Sequence, residues 1–271
     1  MRTLIVGIAR SGTSALYFKL KQALPETTWC LFEPRQLDAA DPYRHPDVLA
    51  KVIIGPPADF DYAPFRGFDK KIMMVRDPRD NLVSRLLYHP CATAEFRADA
   101  AKVAAFVDAL RRKEADPRSL SVTALFHLFH RLTGRHLPAR STVIYDLALD
   151  FHRANDDFVV YKYEDFVAGR YAALEDYLQI RLPAGEADVT AQYRHVERTK
   201  AAESWRDWFT ADDVAYYRPR LAPFMAAYGY AGDWTLAAAP QISPAHGSDF
   251  VQRSVDLRNA QAKESSGVPA A

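Results

Sequence analysis

A short loop near the start of the chain combines glycines, hydroxyl groups and one cation. In "LIVGIARSGTSAL", residues 4–16, four residues separate Gly7 from Gly12, which is the spacing of a phosphate-binding P-loop up to the position of its lysine. Thr13 occupies that position, and the nearest cation is Arg10, inside the loop. The residues of this loop that we predict to bind phosphate are Arg10, Ser11, Gly12, Thr13 and Ser14.

The apolar run before this loop and the helical pattern after it make the loop a candidate anion site. Backbone N–H groups and the positive end of the helix dipole converge on an anion in such a place. The alternative is an ordinary tight turn whose small residues serve the turn geometry. In nucleoside triphosphatases the loop lysine reaches the β- and γ-phosphates. Without that lysine, a donor with one phosphate and one transferable group, which needs a single cation such as Arg10, suits the loop better than a triphosphate.

A second segment, "RDPRDNLVS" at residues 76–84, places an arginine and a serine eight residues apart. Arg76 closes an apolar run, and a helix is predicted to begin at Pro78, with Asp77 as its cap. Ser84 then lies less than two turns into the helix, so both side chains can face one crevice. A guanidinium fork and a hydroxyl together suit a phosphate dianion. The alternative, if each residue is considered alone, is that Ser84 is a solvent-exposed helix serine and that Arg76 forms an ion pair at the surface.

Both segments follow strand-like runs, and the elements that must position them indicate a three-layer α/β fold. Short, nearly continuous apolar runs separated by helices are typical of central parallel strands covered on both faces. The sequence therefore predicts a three-layer α/β fold with a central parallel sheet. The predicted strands are residues 3–8, 27–32, 51–55, 71–75 and 157–162.

A long helical insertion, at about residues 90–156, separates the last two predicted strands. We expect one domain over residues 1–235, with this insertion covering its site. From Leu236 onward the chain is rich in Ala, Pro, Ser and Gly without periodicity. Residues 236–271 are therefore predicted to be a flexible or disordered tail.

Composition excludes several classes of function. A formal net charge of +1 provides no global field to recruit nucleic acid or an anionic membrane. Cys30 and Cys91 lie outside any CxxC or Cys/His cluster, which argues against a disulfide framework or a zinc site and favours a reducing compartment. The first apolar run is too short for a signal peptide, and no later segment approaches the length of a membrane span. We therefore expect a cytoplasmic protein with no membrane span.

Together, "GIARSGTS" and "RDPRDNLVS" resemble the two cofactor motifs of the PAPS-dependent sulfotransferases. The resemblance implies that the sheet has a P-loop nucleotide-kinase-like topology. It also implies that the first motif holds the 5′-phosphosulfate and that Arg76 and Ser84 bind the 3′-phosphate. "YKYEDF" at 161–166 is similar to a family segment whose tyrosine, here Tyr163, approaches the adenine; the alternative is a tyrosine packed in the core.

"RTKAAESWRDWFT" at 198–210 resembles the family's C-terminal loop that closes over the cofactor, which makes Arg198 and Lys200 further 3′-phosphate contacts. Lys200-Ala201 and Ser204 stand where the family usually has a Lys-Gly pair and a later glycine. Without these glycines the loop closes over a cofactor differently from the family's loop. The alternative to phosphate binding by Arg198 and Lys200 is a basic turn exposed to solvent.

Transfer to a hydroxyl also needs a group that accepts its proton. Glu33, in "WCLFEPRQ", stands at the predicted end of the second strand, on the same edge as both motifs. It resembles the glutamate that protein-tyrosine and several carbohydrate sulfotransferases place after their first helix. Small-molecule members use a histidine further along, and His45 is the only histidine in that interval. We prefer Glu33 as the catalytic base; a surface ion pair with Arg35 is the alternative.

The resemblance thus implies a sulfotransferase that moves the sulfuryl group of PAPS to a hydroxyl acceptor by in-line displacement and releases PAP. Glu33 would take the acceptor's proton, and Arg10 would neutralise charge on the bridging phosphate oxygen. We expect no metal, because sulfonate carries less charge than phosphate. The acceptor (saccharide, glycolipid, peptide or small molecule) and the oligomeric state stay open. The alternatives are an ATP-dependent small-molecule kinase with an aberrant P-loop, in which Asp77 or Asp80 would hold magnesium, and a non-catalytic nucleotide-binding module.

Overall fold

The computed structural model of the chain describes residues 1–34, 37–55, 61–134, 137–185, 202–230 and 232–266. The chain divides into two compact units. The first comprises Met1–Asp77 and Val143–Thr190, and the second comprises Pro78–Thr142 and Ala191–Ala271. None of the helices within the described ranges combines the length and apolar character needed to cross a membrane.

The first unit is built on a parallel sheet, as the sequence predicts. Within the described residues its strands are β1 (Arg2–Gly7), β2 (Trp29–Phe32), β3 (Val48–Ile53), β4 (Lys70–Val75) and β5 (Val159–Lys162). Their order is β2-β3-β1-β4-β5, and every pairing is parallel. This confirms the predicted α/β fold class with a central parallel sheet.

The core of this unit follows from the continuous apolar runs of the central strands. Leu4, Ile5 and Val6 of β1 are fully buried, as are Val48 and Leu49 of β3. A strand that is apolar on both faces is stable only when both faces are covered, as they are in three-layer α/β proteins. Because β1 lies between β3 and β4, the segments that follow these strands leave the sheet side by side at its carboxyl edge, where open α/β sheets bind their ligands.

Helices make up most of the rest of the described chain. In chain order they are α1 (Thr13–Ala23), α2 (Pro78–Ala92), α3 (Ala94–Arg97), α4 (Ala100–Ala115), α5 (Val122–Thr133), α6 (Leu137–Ala154), α7 (Tyr163–Val167), α8 (Ala172–Leu178), α9 (Trp205–Trp208), α10 (Ala211–Ala227) and α11 (Ser248–Ser266). The predicted helical insertion corresponds to α3 through α6.

The second unit packs helices around aromatic side chains. Phe96, Phe106 and Phe129 lie with ring centroids 5.0–6.0 Å apart and are almost completely buried. Asp213, also buried, accepts hydrogen bonds from the Val122 N–H at 2.8 Å and from the N–H of Thr210, the N-cap residue of α10, at 3.0 Å. Apolar packing and satisfied helix ends therefore hold this unit together.

The C-terminal segment differs from the flexible tail that composition predicts. Helix α11 runs through it and packs on α2 and α4. Phe250, Val251 and Val255 are buried on that contact. A few apolar residues on one face stabilise this helix through tertiary packing, which composition averaged over residues 236–271 does not reveal. The assignment of residues 1–235 to a single domain stays a prediction.

Candidate functional site

The loop between β1 and α1 has a strained, left-handed backbone. Arg10 has φ 71° and Gly12 has φ 93°. A left-handed conformation costs a residue with a side chain about 1–2 kcal/mol, and such strain collects at functional sites. The Ser11 N–H and hydroxyl both donate to the Ile8 carbonyl, at 3.2 and 2.8 Å. This tight turn brings the chain to Thr13, the first residue of α1.

Gly12 permits a close approach that a larger residue would prevent. A Cβ atom on Gly12 would overlap the Tyr163 ring and come within 2.9 Å of Met74 Cε. Tyr163 follows β5 directly and is only 8% exposed. The loop after β1 and the residue after β5 therefore pack against each other, on either side of the end of β4.

Arg76 lies between these two segments. It follows β4, is 5% exposed, and donates from Nη1 to the Arg10 carbonyl oxygen at 3.3 Å. Its guanidinium carbon lies 4.3 Å from the centroid of the Tyr163 ring. Nε and Nη2 are buried, and neither has a hydrogen-bond partner among the described residues. Buried donors are nearly always satisfied, and leaving a charged donor unpaired is costly. These two atoms therefore fit an anion such as a phosphate.

A hydrogen bond within the first unit holds the turn after β4. The Asp77 N–H donates to Glu164 Oε1 at 2.9 Å. Glu164 and Tyr163 are the first residues of α7. The start of α7 therefore contacts both Arg76 and Asp77, which fixes the direction in which the chain leaves β4.

Glu33 and Lys51 form an ion pair on the other side of the loop. Glu33 follows β2 with φ 50°, and its N–H donates to the Lys51 carbonyl at 2.8 Å. Lys51 Nζ donates to Glu33 Oε1 and to Ser14 Oγ, the latter at 3.1 Å. The lysine side chain is 2% exposed, whereas the glutamate side chain is 46% exposed. The carboxylate is thus held on one side and open to solvent on the other.

Burial lowers the pKa of Lys51 from its ordinary value of 10.5; Glu33 opposes this shift, and the charge of Arg10 adds to it. The effect of Arg10 indicates that the two cations are close enough to interact. Arg10 follows β1, Lys51 lies in β3 and Arg76 follows β4, and these are neighbouring strands of one sheet. Positive charge concentrated in this way suits the binding of an anion.

Lys51 contacts two predicted site residues, Glu33 and Ser14, although sequence reasoning assigned it no role. The available signal was a lysine inside an otherwise apolar strand, "VLAKVI". A lysine is almost never fully buried unless it is paired, so a lysine in such a run requires a partner. Its nearest carboxylate partner, Glu33, follows the adjacent strand and cannot be recognised without the strand order.

His45, the alternative base, lies at the opposite edge of the sheet. Its ring stacks on Trp29 with centroids 4.4 Å apart. Trp29 begins β2, whereas Glu33 follows its end. Four residues of strand, roughly 13 Å, separate the two places, and this placement favours Glu33.

The structure does not test three of the predicted site residues, Ser84, Arg198 and Lys200. Ser84 lies on α2 in the second unit and is 3% exposed. Arg198 and Lys200 lie outside the described residues. In the first unit a pocket of about 430 Å³ is lined by Ile54, Tyr62 and Phe151 among others, but by none of the predicted site residues. Within the described chain, no group of three or more His, Cys, Asp or Glu side chains is placed to hold a metal ion.

No protein-family model and no curated protein matches the chain. The fold of the chain is similar to that of a solved structure, the mouse sulfotransferase SULT7A1 crystallised in complex with PAP. The match has a TM-score of 0.51 and covers 83% of this chain and 84% of the mouse chain, with 15% sequence identity. The chain shares the fold of a sulfotransferase. At this level of identity the likeness shows the fold alone, and the chemistry rests on the residues described above.

Proposed function

We propose that the chain is a sulfotransferase that transfers the sulfuryl group of PAPS to a hydroxyl acceptor and releases PAP. One observation carries the proposal: Arg76 Nε and Nη2 are buried without a partner in the described chain, beside a loop of P-loop spacing. A phosphate with several acceptor oxygens would satisfy both donors. The fold shared with a PAP-bound sulfotransferase supports the same function.

In this proposal the loop after β1 holds the phosphosulfate and Arg76 holds the 3′-phosphate. PAPS supplies the sulfuryl group when it is bound. The phosphosulfate would be bound by the loop amides, the hydroxyls of Thr13 and Ser14, and Arg10, while Ser11 stabilises the turn. Arg10 balances the negative charge that develops on the phosphate as the sulfuryl group leaves. The contacts of Ser84, Arg198 and Lys200 with the 3′-phosphate stay predictions.

Glu33 is the proposed catalytic base, and Lys51 is the group that holds it. The ion pair fixes the Oε1 oxygen of the carboxylate. The exposed side of the carboxylate can then accept a proton from an acceptor hydroxyl. Because Lys51 also donates to Ser14 in the loop, it links the base to the phosphosulfate site.

The kinase alternative requires Asp77 or Asp80 to hold magnesium. In the second unit, the Asp80 carboxylate accepts from the Glu203 N–H at 2.6 Å, the Ser204 hydroxyl at 2.7 Å and the Trp205 N–H at 2.9 Å. A carboxylate that fixes three donors of its own unit is poorly suited to exchange them for a metal ion. This observation argues against Asp80 as a magnesium ligand and leaves Asp77 as the carboxylate that the kinase alternative would need.

Calorimetric titration with PAP, PAPS and ATP, each with and without magnesium, tests the proposal. We expect PAP to bind without metal and to lose affinity at least tenfold in Arg76→Lys, which keeps the charge but loses the fork. Arg170→Ala, a surface arginine paired with Asp165 in the same unit, is the matched control and should bind PAP normally. A preference for magnesium–ATP over PAP would refute the proposal.

The base is tested by turnover of labelled PAPS against a panel of sugar, peptide and phenol acceptors. Glu33→Gln should bind PAP like the wild type but lose turnover by roughly 10²–10⁴-fold. His45→Ala should retain turnover, because its ring lies at the other edge of the sheet. Full turnover in Glu33→Gln would remove Glu33 from the mechanism, and loss in His45→Ala would identify the histidine instead. PAP binding with no turnover of any acceptor in the wild type would indicate the non-catalytic nucleotide-binding module.

A further inference from the structure

The Arg76 guanidinium lies over the face of the Tyr163 ring. The guanidinium carbon lies 4.3 Å from the ring centroid, and both residues are at least nine-tenths buried. A cation over the face of an aromatic ring is attracted by the ring quadrupole, and the attraction is strongest where water is excluded. The ring is itself held in place, because it packs so closely against Gly12 that a Cβ atom there would collide with it.

This arrangement leaves a single edge of the guanidinium for a ligand. The face of the ring offers no conventional hydrogen-bond acceptor, so this contact does not by itself satisfy any of the five N–H donors of the arginine. Nη1 is held by the Arg10 carbonyl at 3.3 Å. Nε and Nη2, which form the adjacent edge, have no partner within the described ranges. Two parallel N–H groups on one edge are the geometry that binds a phosphate in bidentate fashion.

We propose that Tyr163 is a positioning residue: its ring holds Arg76 so that the Nε–Nη2 edge faces the 3′-phosphate. This inference rests on the proposed function, since it takes PAP as the ligand of that edge. The resemblance assigns Tyr163 to the adenine, whereas the contacts place its ring on the arginine and on Gly12. Arg10 joins the same arrangement through its carbonyl, so the 3′-phosphate contact and the loop after β1 are coupled.

The two roles of Tyr163 predict different ligand selectivity. If the ring positions Arg76, its loss weakens binding only of nucleotides that carry a 3′-phosphate. If the ring contacts the adenine, its loss weakens binding of every adenine nucleotide to the same degree. PAP and 5′-AMP differ only in the 3′-phosphate, so their affinities measured side by side distinguish the two roles.

The experiment is calorimetric titration of PAP and 5′-AMP into the full chain and its variants. Tyr163→Leu should lower the affinity for PAP at least tenfold, the order expected for a buried cation–π contact, and change that for AMP less than twofold. Tyr163→Phe keeps the ring and should bind both nucleotides like the wild type. In an Arg76→Ala background, Tyr163→Leu should cause no further loss of PAP affinity.

Tyr161→Leu is the matched control, since Tyr161 is a buried tyrosine of β5 whose hydroxyl donates to the Arg170 carbonyl at 3.1 Å. It should be destabilised yet bind PAP normally. If Tyr163→Leu melts below the assay temperature, Tyr163→Met fills more of the space and is measured in its place. An equal loss of PAP and AMP affinity would overturn the inference while leaving the proposed function intact. A wild-type chain that does not bind PAP would overturn the proposed function itself.

Discussion

Replacing Lys51 with methionine should reduce activity sharply with little change in stability. Burying the Lys51 ammonium costs several kcal/mol of desolvation free energy. Its hydrogen bonds to Glu33 and Ser14 offset this cost. Hydrogen bonds to a charged group contribute about 1.5–3 kcal/mol each, so the two effects nearly cancel. Methionine fills a similar volume, and Glu33 keeps contact with water. We therefore expect Lys51→Met to change the free energy of unfolding by less than about 1 kcal/mol, or roughly 2–4 °C in Tm.

Turnover should respond differently. Lys51 is the group that holds the proposed base and contacts the phosphosulfate loop, and loss of one such preorganised donor typically costs 10²–10³-fold. Lys71 of β4 provides a matched control, because it is also a buried strand lysine paired with an exposed carboxylate, Asp157. It precedes the carboxyl edge, so Lys71→Met should keep turnover and lose about 1 kcal/mol of stability. Equal turnover in the two variants would refute the role of Lys51.

The pH dependence of stability should also separate the two lysines. Burial lowers the pKa of Lys51, so the folded state binds fewer protons than the unfolded state as pH approaches 10.5. The penalty for burying its charge is complete below the folded pKa and is relieved as pH rises towards 10.5. Burial also acts on Lys71, but hydrogen bonds to Asp157 and Tyr62 outweigh it and raise its pKa. The stability that Lys71 contributes is complete below 10.5 and is lost above it. Urea unfolding between pH 7 and pH 11 should therefore show the stability of the wild type rising relative to Lys51→Met and falling relative to Lys71→Met. Parallel curves would contradict both shifts.

Two further substitutions test other parts of the structure. Gly12→Ala should abolish PAP binding in calorimetric titrations, because the new Cβ displaces the Tyr163 ring. Gly134→Ala is the control, since Gly134 also has a positive φ, 68°, but faces open space. It should lower the free energy of unfolding by only about 1 kcal/mol and leave PAP binding unchanged. Phe250→Ala in α11 should lower the free energy of unfolding by about 3–5 kcal/mol in urea titrations, because Phe250 is buried. Leu257, on the same helix, is 45% exposed, so Leu257→Ala should lower it by less than about 0.5 kcal/mol. Equal effects of the two substitutions would show that this segment does not pack as a helix.

Local signals explain what could be predicted. Each strand of the sheet is a nearly continuous apolar run, and a strand buried on both faces leaves that pattern in the sequence. The loop around Gly12 and the position of Arg76 at the end of β4 were predictable because a strand end and a helix start are encoded within a few residues. Helix α11 was missed because its stability depends on contacts with α2 and α4, which its own segment does not record.

The sequence by itself determined the parallel sheet and which residues follow its strands, because apolar periodicity and turn chemistry act over short distances along the chain. Only the tertiary structure decided which of those residues meet. Strand order brings Lys51 to Glu33 across 18 residues and Arg76 to the Arg10 carbonyl across 66. The stacking of His45 on Trp29 places the histidine at the end of β2 opposite to Glu33. Strand order results from packing the whole sheet against its helices, a long-range effect that no single segment encodes.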